Sequence, residues 1–142
     1  MSFDDTVLGA SAPRHGRADV MELSLVASAA APAAARQALR SWLRARTTDR
    51  VLIDAPLVVS ELVTNSVRHA NLPVSATVRI WAELLGGVLR LEVTDSGTAG
   101  AITRRAVGDQ DGGFGLNIVD MLASRWGIQR DDGTLVWAEL GC

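Results

Sequence analysis

The chain has no lysine and no tyrosine, a single cysteine, and aromatic residues at only 4% of its 142 positions. Each shortage excludes something. All fourteen basic residues are arginine, which fits GC-rich coding and removes any mechanism that needs a lysine, the phosphate-cradling lysine of a P-loop included. Cys142 has no second cysteine to pair with, so no intrachain disulfide forms, and this fits a reducing compartment. No apolar run approaches the ~20 residues that a membrane helix needs. The formal net charge is −2, too small and of the wrong sign for a broad attraction to nucleic acid.

What is present describes a soluble globular domain: 48% hydrophobic and 21% charged residues, in a length that supports one core. Arg14, His15 and Arg17 followed by VMELSLVASAAAPAAA have the outline of a secretory signal. Asp19 and Glu22 interrupt its apolar part, however, and MELSLVA alternates as a strand does. The expected location is therefore cytoplasmic. Residues 1–18, rich in small and turn-forming types, read as a flexible tail, and 19–142 as the domain.

The periodicities predict the order β-α-α-β-β-(loop)-α-β-β. A strand covers about Val20 to Val26, and Pro32 opens a helix to about Ala45. On that helix Ala35, Ala38, Leu39, Trp42 and Leu43 form one arc, and Arg36, Arg40 and Arg44 another. A second helix ends near Ala70, where Asn71 and Pro73 stop it, with Pro56 expected in its first turn. Strands in PVSATVRIWAEL and VLRLEVTD meet at Gly86-Gly87, a hairpin signal. Residues 96–112 carry no core periodicity, and a connection of that length points to function. A third helix is expected over about Gly115 to Trp126, then a hairpin turning at Asp131-Asp132-Gly133 into TLVWAEL. The sum is an α+β fold, a two-layer sandwich: a mixed, mostly antiparallel sheet with helices covering one face.

Three segments carry chemistry. In VSELVTNSVRHA, Val59, Leu62, Val63, Ser66, Val67 and Ala70 share one arc, while Glu61, Asn65, Arg68 and His69 fall opposite. That side reads as a solvated face, except that Asn in mid-helix costs roughly half a kcal/mol against Ala, which asks for a use such as cation binding. In VTDSG, Asp95 ends a strand; it serves either the turn or a ligand amino group that offsets its burial. In DGGFGLNIVDML, Gly112, Gly113 and Gly115 lead into an amphipathic helix, whose first N–H groups suit phosphate. A glycine-rich helix entrance accounts for that cluster equally well. It is neither a Walker loop nor a dinucleotide fingerprint, since no Gly-Lys follows and no strand precedes it.

In this order, ELVTN, DSG and GGFGL resemble the N, G1 and G2 boxes of the GHKL (Bergerat-fold) ATPases. The short form, with SELVTNSVRHA and a closing VWAEL strand, looks most like the anti-sigma-factor serine/threonine kinases, from about Asp19 to Leu140. The resemblance implies ATP and Mg²⁺ as cofactors under a lid at residues 98–111. It implies Asn65 as the Mg²⁺ ligand, Glu61 as the general base, and Asp95 as acceptor from the adenine amino group, with Gly97 letting the base approach. Gly113 and Gly115, with Leu116 behind them, would meet the phosphates. It further implies a sigma factor and an anti-sigma-factor antagonist as protein partners, and leaves a homodimer open. His69 either supports the site or interacts with the helix dipole. Arg36, Arg40 and Arg44 are either a solvated stripe or part of the partner surface.

The chain departs from the family pattern in two places. Gly100 stands one position later than the second glycine of the G1 box, and the lid carries Arg104 and Arg105 but no lysine. Retention of Glu61 and Asn65 favours a kinase, whereas the loosened G1 box favours a nucleotide-gated switch. A sensor histidine kinase ranks last, because there is no room for a helical hairpin bearing a phosphoacceptor histidine.

Overall fold

Three helices lie on one face of a five-stranded sheet in the computed structural model, which describes residues 19–47, 50–69, 76–95, 113–130 and 133–142. The chain runs β1 (Asp19–Val26), α1 (Ala31–Arg44), α2 (Val51–His69), β2 (Thr77–Leu85), β3 (Val88–Asp95), α3 (Gly113–Leu122), β4 (Arg125–Arg130) and β5 (Thr134–Gly141). The spatial order is β1-β2-β3-β5-β4, and every neighbouring pair is antiparallel. The expected two-layer α+β sandwich is what forms, with antiparallel pairing throughout rather than a mixed sheet. No described helix is long and apolar enough to cross a membrane.

Alternation sets the faces. Val78, Ile80 and Ala82 of β2, Leu89, Leu91 and Val93 of β3, and Val136, Ala138 and Leu140 of β5 are buried on the helix side, as a period of two requires. Against them pack Ala31, Ala35, Leu39 and Leu43 of α1 and Val51, Ala55, Val58, Val59, Leu62 and Val63 of α2. Ala38 and Trp42, assigned to the same arc of α1, are only half-buried at its edge. Truncating any of the fully buried leucines to alanine is expected to cost about 2–5 kcal/mol.

The β2–β3 turn is fixed by Gly86 and Gly87, whose φ values of 59° and 81° are those a two-residue hairpin turn with both central residues left-handed demands. Two expectations need correction. Pro56 lies inside α2, not in its first turn, because the helix already begins at Val51. A proline at that depth leaves the carbonyl of Leu52 without its helical N–H partner, and tertiary packing of the flanking Ala55, Val58 and Val59 carries the helix through it. The third helix spans Gly113–Leu122 and not Gly115–Trp126; Trp126 belongs to β4, its indole N–H donating to Asp120 Oδ1 at 2.9 Å.

The face away from the helices is built differently. Arg90 donates to Glu92 at 2.9 Å and to Glu139 at 2.8 Å, and its guanidinium lies 4.4 Å from the centroid of a Trp137 ring. Arg125 adds two bonds to Glu139, at 3.0 and 2.7 Å. Trp137 lies flat over Gly127, its partner in the register.

Candidate functional site

Strand register brings the start of β2, the end of β3 and the start of β5 to one end of the sheet. The C-terminal end of α2 leads through residues 70–76 into β2, whose Val78 pairs with Asp95 at the end of β3. Asp95 in turn pairs with Thr134 at the start of β5. The helix α3 finishes two residues before β4, at the opposite end, where Arg125 pairs with Glu139. The helix α2 packs against β3, β5 and α3, so the elements that carry these segments share one helix as their common neighbour.

Asp95 sits in the same parity as Leu89, Leu91 and Val93, so it is turned to the helix layer, and it is buried with 3% of its surface exposed. A carboxylate in that position is expensive without hydrogen-bond partners, and Asp95 has at least one interaction in the fold. Across the register stands Thr134, 5% exposed. Its Oγ1 is buried and has no hydrogen-bond partner among the described residues. Native proteins rarely leave a buried hydroxyl unpaired, so this pair presents an acceptor and an unused hydroxyl at one place. That fits the polar edge of a purine, which needs both an acceptor and a partner that can donate or accept.

On α2, Asn65 and Glu61 are half-buried and one turn apart. Their helix is fixed behind them by Leu62, Val63 and Ser66, all buried. Thr64 returns its hydroxyl to the carbonyl of Ser60 at 2.7 Å, and Ser60 to that of Leu57 at 3.0 Å. Gly113 and Gly115 lie in the first turn of α3, and Leu116 is buried behind them at 5% exposure. Asn65 thus lies on α2, with Glu61 one turn before it, Asp95 at the end of β3 and Gly113, Gly115 and Leu116 in the first turn of α3, and both β3 and α3 pack against α2. Arg36, Arg40 and Arg44 lie apart, on α1; the first two are half-buried and the third is exposed. Gly97, the segment 98–111 and Gly100 lie outside the described residues, as do Ala70 to Pro73, the tail 1–18 and the turn residues Asp131 and Asp132.

Thr134 is the candidate that sequence reading missed. Its signal was there: it opens the last strand in the parity of Val136, Ala138 and Leu140, so a hydroxyl at that position had to point inward.

Among solved structures, the chain is similar to the RsbU and RsbW domains of a Mycobacterium tuberculosis protein, at 23% identity and a TM-score of 0.65. The likeness covers 87% of this chain but only 32% of that one, so it shows the fold alone. No curated protein matches the sequence. The match to the histidine kinase-like ATPase domain runs over residues 25–140. It takes in every one of these segments, and the chain belongs to that family.

Proposed function

We propose that this ATPase domain is an ATP-dependent serine/threonine protein kinase that acts as an anti-sigma factor. In this reading it phosphorylates an anti-sigma-factor antagonist, sequesters a sigma factor, and works in the cytoplasm. The observation that supports it is the buried Asp95–Thr134 pair on strands packed against α2, the helix that carries Asn65 and against which the glycine-led α3 also packs. The fold family and the RsbW-domain neighbour support the same reading.

Asp95 and Thr134 would hold the adenine edge, and the first N–H groups of α3 the phosphates. Among the described residues no group of three or more His, Cys, Asp or Glu could cage a metal. Mg²⁺ would therefore be held by Asn65 together with nucleotide oxygens, as is usual for this ion. Bound MgATP supplies the transferable phosphoryl group. Glu61 would accept the proton of a serine hydroxyl as it takes the phosphoryl group from ATP and releases ADP.

One observation favours a second reading. Gly100 is displaced by one position from the G1 pattern, which fits a nucleotide-gated switch that binds a partner and transfers phosphate poorly. Incubation with labelled ATP, Mg²⁺ and antagonist proteins from the same genome separates the two. Label on an antagonist serine, reduced roughly 10²- to 10⁴-fold by Glu61→Gln with ATP binding intact, is the kinase result. Undiminished ATP affinity with no label on any antagonist is the switch result.

A further inference from the structure

Among the described residues, β1 pairs with β2 on one side and has no strand on the other. The ladder shows how that free edge is built. Ala27 donates its N–H to the carbonyl of Ala76 at 2.9 Å, and these two residues continue the β1–β2 register. Hydrogen-bonded pairs of an antiparallel ladder recur at every second residue, so Met21, Leu23 and Leu25 bond to β2. The N–H and C=O groups of Val20, Glu22, Ser24 and Val26 are therefore turned outward. Burial marks the same edge. Val78, Ile80 and Ala82 of β2 are fully covered, whereas Met21, Leu23 and Leu25 in the next row are only partly so. On the open face Val20 is 48% and Val26 59% exposed. The opposite edge strand, β4, is different: six residues long, with arginine at both ends, it is blunted against further pairing.

The strand also reads alike in both directions. About Leu23 stand Glu22 and Ser24, then Met21 and Leu25, then Val20 and Val26. We propose that β1 is a self-pairing edge, to which a second copy of this chain adds its own β1, antiparallel, about a two-fold axis at Leu23. A two-fold contact needs a self-complementary surface, and this symmetry selects a second copy over an unrelated strand. In this register Leu23 meets Leu23, Met21 meets Leu25 under the helix layer, and Val20 meets Val26 on the open face. The outward groups of Glu22 fall opposite those of Ser24, and those of Val20 opposite those of Val26. By symmetry that gives about eight backbone hydrogen bonds. Charge selects the register too. Arg79 stands beside Ser24 on β2, so Arg79 of one copy lies in line with Glu22 of the other, across a small side chain. Neither has an ion pair among the described residues. An axis at Glu22 would oppose two glutamates, and one at Ser24 would set Glu22 against Val26. The pairing does not depend on ATP chemistry, so it and the kinase reading can fail separately.

Sedimentation of the full chain over a range of concentrations should show a monomer–dimer equilibrium. Ser24→Pro removes an outward N–H and leaves the bonds to β2 in place. It should weaken the dimer at least about tenfold while the monomer keeps its cooperative thermal transition. Glu22→Arg and Arg79→Glu should each weaken the dimer at low salt, and the double variant should recover it. Should Ser24→Pro unfold the chain, this charge exchange decides the matter. The register is read by a short bis-maleimide crosslinker in a Cys142→Ser background. Chains with Val20→Cys should crosslink to chains with Val26→Cys, and neither kind to itself, because like positions lie six residues apart along the paired strands. A chain that stays monomeric at every concentration overturns the pairing. So does a dimer indifferent to Ser24→Pro or to both single charge changes, and so does crosslinking of either kind to itself. Protection of the Glu22 and Ser24 amides from hydrogen exchange in a monomer overturns it as well, by giving the edge to another segment of the same chain.

Discussion

Asp95 and Thr134 face each other across β3 and β5 with 3% and 5% of their surface exposed, and substitutions at the two positions should separate. Asp95→Ala removes a buried charged acceptor from a strand end, so the fold should survive. ATP affinity should fall by about 10- to 100-fold, the equivalent of about 1.5–3 kcal/mol. Calorimetry giving the wild-type affinity would remove Asp95 from the adenine site. Thr134→Val is the sharper experiment. It replaces a hydroxyl that has no partner among the described residues by a methyl of nearly the same shape. The urea midpoint should therefore hold or rise, since an unsatisfied group disappears. ATP affinity should nevertheless drop by roughly 2- to 10-fold if the hydroxyl serves the ligand. A variant that is destabilised and binds ATP normally would show that Thr134 supports the sheet. The contrast also shows what sequence can say about single residues. Asp95 stood out because its strand alternates and then turns at Ser96-Gly97. Thr134 did not, because threonine is one of the residues enriched in strands, and only its burial without a partner among the described residues sets it apart.

At the level of elements, the order of strands and helices was legible because periods of 2 and 3.6 rarely mimic each other. Misreadings fall where a local rule competes with packing. Proline is a poor interior helix residue, so Pro56 was expected in the first turn of α2, yet burial of Val51 and Ala55 extends the helix upstream of it. The third helix was drawn too long because Trp126 continues its apolar pattern, although its strand partner is Ala138. Of the sheet order only the two hairpins, β2–β3 and β4–β5, were legible, since β1 on β2 and β3 on β5 join segments far apart in sequence. The β4–β5 hairpin supplies a prediction of its own. A Cβ on Gly127 would lie 2.8 Å from Nε1 of Trp137 and 2.9 Å from two of its ring carbons. The ring cannot tilt freely, because the Arg90 guanidinium is stacked on Trp137. Gly127→Ala should cost about 1–3 kcal/mol, read as a lower urea midpoint with an unchanged slope. The double variant Gly127→Ala with Trp137→Leu should lose less than the sum of the two single changes. Strict additivity would show that the contact is not the cause.

For the molecule as a whole, the two faces of the sheet respond to different solution variables. The helix side is apolar and carries the buried Asp95 and Thr134, while the open side joins β3, β5 and β4 through charged groups. Glu139 is the hub. Its hydrogen bond from Arg125, and next that from Arg90, hold its carboxyl below the ordinary value of 4.5, against the opposing effect of burial. Burial tends to lower the pKa of Arg90, but its bonds to Glu92 and Glu139 outweigh this and raise it above its ordinary value. The arginine thus stays charged throughout, and the titrating member is Glu139. A carboxyl with a lower pKa when folded than when unfolded adds stability that is fully present above the unfolded value. That contribution is lost as pH falls through the folded value. The stability difference between the wild-type chain and Glu139→Gln should therefore be constant from pH 7 down to about 5.5, roughly one unit above the unfolded value. It should shrink progressively below 4.5. Arg125, with 68% of its side chain exposed, contributes through a solvent-screened pair, so Arg125→Gln should reduce the difference most at low salt. Arg90→Gln, at a side chain only 27% exposed, should reduce it at any salt. Urea midpoints at pH 7, 5 and 3.5, each at 20 and 500 mM salt, test this directly. If Glu139→Gln loses as much at pH 3.5 as at pH 7, the charge on Glu139 does not hold the open face together.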